Sequence, residues 1–105
     1  VAQFDVFTNP GRQRTVVPFV VALQNARYDR ATTRFVAALV LQAAIRIEAH
    51  WLAPRFFIAG QDVVLDVFNL ATVPVSRLGA PVASLADEES RIKLVRALDE
   101  FLSQA

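Results

Sequence analysis

The chain has 105 residues, 54% of them hydrophobic and 20% charged, with a formal net charge of +1. That is one domain's length, richer in apolar residues than a small domain can bury within itself, so a second buried surface such as a dimer interface is expected. Near-zero net charge with interspersed signs lacks the basic footprint of a direct nucleic-acid binder, and the absence of cysteine removes disulfides, thiolate catalysis and cysteine zinc sites.

Residues 3–8, QFDVFT, alternate with period two and predict a strand whose apolar side carries Phe4 and Val6, with Asp5 and Phe7 opposite. NPGR at 9–12 is a turn. Residues 15–23, TVVPFVVAL, predict a second strand, with Pro18 at its start, at an edge or at a bulge because it cannot donate to a ladder. The run from Thr15 to Ala26 is far shorter than the ~18–20 apolar residues of a membrane helix. The opening VAQFDVFT carries an acid early, unlike a signal peptide, so a soluble cytoplasmic protein is expected.

Residues 24–34 read as a polar, basic loop, and 35–41, FVAALVL, as a buried strand. Residues 42–53 read as a loop leading into or containing a short strand. PRFFIAGQDVVLDVF at 54–68 reads as a hairpin around Gly60-Gln61. Thr72 to Val75 reads as a further short strand, then come a turn at Arg77-Leu78-Gly79 and a short extended piece at 81–83. Leu85, Ile92, Val95, Leu98 and either Phe101 or Leu102 recur at helical spacing and predict a helix over about 86–102. Ser84 and Asp87 form a loose relative of a capping box. Asp87–Arg91, Glu89–Lys93 and Arg96–Glu100 are spaced as ion pairs.

Few residues point to chemistry. His50 is the lone histidine, and a structural hydrogen bond suits it better than acid–base work; it builds no metal site by itself. Asp62 and Asp66 read as solvent-facing strand charges. No phosphate loop, dinucleotide fingerprint or nucleophile elbow is present, and no cofactor is expected. Arg12, Arg14, Arg27, Arg30 and Arg34 concentrate basic charge in the first third, facing a polyanion, an acidic protein partner or solvent, with Tyr28 among them as a candidate anchor.

The pattern ATVPVSRLGAPVASLADEESRIK at 71–93 resembles the C-terminal third of the CcdB family, toxins of toxin–antitoxin modules. QFDVFT at 3–8 and PFVVALQNARYD at 18–29 resemble that family's opening strand and its second strand and loop. The resemblance implies a single domain over 1–105, mainly β with a C-terminal α-helix, built as a small SH3-like antiparallel barrel. It further implies a homodimer, plasmid maintenance as its setting, and a CcdA-like antitoxin that wraps the toxin through a flexible segment. The target it implies is the GyrA chain of DNA gyrase, inhibited by trapping of the enzyme–DNA cleavage complex rather than by catalysis. The target-binding residues it implies are Phe4, Asn25, Arg27, Tyr28, Phe101, Leu102 and Ser103. The family's tail ends Trp-Gly-Ile, whereas this chain has Phe101, Leu102 and Ser103 there, then two further residues. A homologue that keeps dimerisation and antitoxin binding without poisoning gyrase is an alternative. A MazF-like endoribonuclease, which would lean on His50 and the arginines, is another.

Overall fold

The computed structural model describes residues 2–24, 30–44 and 53–103. The strands are β1 (Asp5–Thr8), β2 (Phe19–Ala22), β3 (Thr33–Leu41), β4 (Arg55–Ile58), β5 (Gln61–Pro74) and β6 (Ala83–Ser84), followed by the helix α1 (Glu88–Ser103). All pairings are antiparallel, in the order β4-β5-β3-β2-β1-β6. The sheet curls into a nearly closed barrel with the C-terminal helix laid on it, the SH3-like architecture expected. Gln42–Ala44 forms a 3₁₀ turn, and the short strand considered for 42–53 otherwise falls largely outside the described residues, as do His50 and Trp51.

Register explains the core. Val6, Val21, Ala37 and Leu70 stand in one row across four strands. With Leu39, Val63 and Leu65 they face the interior, where Leu94 and Ala97 of α1 close the cluster. The opposite face is apolar too. Phe7, expected on the polar side of β1, is fully buried with Val20, Ala22, Val36 and Leu78. Alternation in β1 marks one apolar and one less apolar side, but here Leu78, in the turn after β5, covers the second side. Arg34 also departs from expectation. It is buried, and its Nη1 donates to the carbonyls of Ala31 (2.6 Å) and Thr33 (2.9 Å), so it braces its own turn rather than facing a partner.

One turn and one strand differ from the sequence expectation. The β4–β5 connection is Ala59-Gly60, not Gly60-Gln61, since Ile58 pairs with Gln61. Both loop residues have positive φ, 49° and 81°, the signature of the primed hairpin turn. Alanine in the left-handed region carries a steric cost that asparagine bears better. Ala59→Asn is therefore expected to raise stability by about 0.5–1 kcal/mol, read as a higher denaturant midpoint in urea. The segment 72–75 is not a separate strand. β5 runs unbroken for 14 residues, but its pairing with β3 jumps from Asp66↔Ala38 to Leu70↔Ala37. Val67, Phe68 and Asn69 fall in the jump, and Asp66 Oδ1 accepts the Phe68 N–H at 3.0 Å. That irregularity breaks the period-two pattern in sequence without ending the strand. Pro74 closes β5 opposite Thr33, where a missing donor costs the ladder least, and Val75 begins a 3₁₀ turn.

The helix begins at Glu88, two residues later than expected, because Asp87 is itself the cap. Its Oδ2 accepts the Ser90 N–H at 3.0 Å, while Ser84 Oγ accepts from Ala86 in the turn before. The Ser90 N–H bond holds the Asp87 carboxyl below the ordinary range for an aspartate. A carboxyl depressed in the folded state stabilises above its unfolded pKa, and the contribution is lost as pH falls through the lower folded value. Asp87→Ala should lower the melting temperature by a few degrees at neutral pH. Asp87→Asn should keep most of the cap while flattening the acid limb of the stability curve. Of the expected ion pairs, Glu89–Lys93 stands at 3.9 Å on exposed side chains and contributes little. Lys93 Nζ also lies 5.6 Å from the centre of the Phe56 ring.

Candidate partner-binding groove

α1 carries two apolar stripes, and sequence periodicity merges them. Leu94, Ala97, Leu98 and Phe101 turn toward the barrel. Ile92, Val95 and Leu102 do not: they are 59%, 47% and 72% exposed. Helical spacing groups Ile92 and Val95 with the core residues, and the seating of the helix on the sheet places them outside it. The outward stripe borders a groove of about 260 Å³ whose far wall is formed by the residues leading into β1 and leaving β2. Val95, Asp99 and Leu102 form one side; Gln3, Phe4 and Leu23 form the other, with Leu98 at the base.

The far wall is held tightly. Phe4 adopts φ 67°, a conformation that a bulky residue occupies only when its surroundings impose it. The Phe4 N–H donates to the Ala22 carbonyl at 2.7 Å, and the Phe4 carbonyl accepts from Leu85 N–H at 2.9 Å. A tight turn supports it from the other side: Asp5 N–H donates to the Ala2 carbonyl, and Asp5 Oδ2 accepts the Ala2 N–H. Gln3 Nε2 reaches the Leu23 carbonyl at 3.2 Å, tying the two elements of that wall together. The Phe4 side chain is buried in the main core cluster, and that packing together with these hydrogen bonds holds the strained backbone in place.

Of the seven residues that the sequence marks for target binding, the groove brings Phe4 and Leu102 together. Phe4 is only 2% exposed, so it shapes the wall more than it projects. Phe101 points inward and meets Phe68 edge-on, ring centres 5.0 Å apart at 85°. Ser103 ends the helix. Asn25, Arg27 and Tyr28 lie outside the described residues. Sequence reasoning misses Gln3, Leu23, Val95 and Asp99 as groove residues. Val95 has the spacing of a core position, and nothing local ties residues 3 and 23 to residue 99. Among the described residues no cluster of His, Asp or Glu is placed to hold a metal ion, and no helix is long and apolar enough to cross a membrane.

A nearly closed antiparallel barrel of six strands with a C-terminal helix laid on it is consistent with the fold of the CcdB family. The chain belongs to the CcdB family, described as CcdB protein, whose match runs over residues 3–103. Membership makes it a toxin of a toxin–antitoxin module. No curated protein matches the chain.

Proposed function

We infer that this chain is a cytoplasmic, homodimeric CcdB-type toxin that acts by binding rather than catalysis, in the setting of plasmid maintenance. Its target is the GyrA chain of DNA gyrase, the cleavage complex is what it traps, and a CcdA-like antitoxin neutralises it. The groove supports this reading: an apolar, partly strained surface joining Phe4 to Leu102, two positions where the family resemblance puts target contacts. Exposed Ile92, Phe57 and Phe68 add apolar surface that a second copy of the chain would cover.

The test is a cleavage assay with purified gyrase and supercoiled plasmid. Linear DNA accumulating in proportion to added protein is the expected result. No linear DNA, with supercoiling unchanged, would move the function to a relative that dimerises and binds antitoxin without poisoning gyrase. The replacement of the family's Trp-Gly-Ile tail by Phe101, Leu102 and Ser103 favours that second reading. The endoribonuclease alternative rests on His50, which lies outside the described residues, and on the arginines of the first third.

A further inference from the structure

A second concavity, of about 350 Å³, opens on the face of the sheet that α1 does not cover. Its floor is aliphatic: Val17, Val20, Val36 and Ala38 are buried in the two smaller apolar clusters. Its rim comes from the β1–β2 loop and from the turn after β5, which bring in Arg12 and Arg77. Arg77 Nη2 donates to the Pro10 carbonyl at 3.1 Å across 67 residues of sequence, which tethers its solvent-exposed guanidinium at the rim. The remaining guanidinium donors are not consumed by that bond. Among the described residues not one acidic side chain lines this concavity, although the chain carries 10 acidic residues against 11 basic ones.

We propose that this concavity is a binding site for a small aliphatic monocarboxylate, of the medium-chain fatty acid kind. Each part of that ligand answers a feature of the site. The two arginines present planar forked donors that match a carboxylate. The floor holds valine and alanine without an aromatic ring, which suits a flexible aliphatic body over a stacked ring. Its volume stands at the lower end of the roughly 300–1,000 Å³ range of small-molecule pockets. A doubly charged phosphate head would lose more by lying against the apolar floor than a single carboxylate does. The site lies on the sheet face opposite the helix cluster and shares no lining residue with the Phe4–Leu102 groove, so it stands whatever the toxin's target is.

The experiment is a titration of the isotope-labelled chain with sodium octanoate, followed by backbone amide NMR shifts, beside 1-octanol and octylammonium chloride. Saturable shifts at Arg12, Val20, Val36 and Arg77, with a Kd of about 1 mM or tighter, are expected for octanoate alone. Arg12→Gln and Arg77→Gln should each weaken binding about tenfold. Ala71→Leu fills the concavity from its exposed side and should abolish binding while the circular dichroism melt stays unchanged. Octanol binding as well as octanoate, undiminished affinity in both arginine variants, or shifts confined to Leu23 and Val95 would each overturn the proposal.

Discussion

Replacing Leu94 with alanine will cost about 2–5 kcal/mol of folding free energy, because a fully buried side chain leaves a cavity that its neighbours only partly close. Leu94 is the residue through which α1 enters the barrel interior, beside Ala97, Val63 and Leu65. The same substitution at Ile92, exposed on the neighbouring stripe, should cost about 0.5 kcal/mol or less at low protein concentration. Urea unfolding with an unchanged slope and a lower midpoint for Leu94→Ala checks the first part. Repeating both variants over a range of concentrations checks the second. A penalty for Ile92→Ala that grows with concentration would place Ile92 in an interface between copies of the chain. Equal penalties at every concentration would mean that the helix face is assigned wrongly.

Leu102→Asp separates binding from folding. Leu102 is 72% exposed, so the substitution should leave stability within about 0.5 kcal/mol of the parent. It puts a second carboxylate on the wall that already carries Asp99 and removes the most exposed apolar side chain of the groove. If Leu102 is an anchor for gyrase, DNA cleavage should fall by at least about thirtyfold, the equivalent of about 2 kcal/mol. A variant that still accumulates linear plasmid at parental concentrations would show that the toxin meets gyrase through another surface. Phe101→Ala is a poorer probe, since Phe101 packs on the core and on Phe68 and its loss changes fold and surface together.

The elements themselves are legible in the sequence where local pattern and tertiary role agree. The runs at 19–22 and 35–41, the hairpin of β4 and β5 and the C-terminal helix follow from β-branched content, turn residues and helical spacing. What stays hidden depends on partners distant in sequence. Phe7 reads as solvent-facing because Leu78, which helps bury it, lies 71 positions away. β5 reads as broken because a register jump scrambles its alternation. The helix reads as having one apolar face because periodicity shows that a residue is apolar, not what covers it; only the seating on the barrel separates Leu94 from Val95. The groove is half legible. Family resemblance puts Phe4 and Leu102 together as target contacts, but not Gln3, Leu23 or Asp99.

The hydrogen bond from Leu85 to the strained Phe4, with the pairing of β1 to β6, joins the first strand to the segment that starts the last helix. Both walls of the groove therefore exist only once the first strand has waited for the final element, a closure of high sequence separation that is slow by nature. A growing chain on the ribosome carries Phe4 early, but without Val95 and Leu102 the groove has only one wall. If the groove is the surface that meets the target, an unfinished chain is harmless until its last helix docks, and that interval is open to an antitoxin.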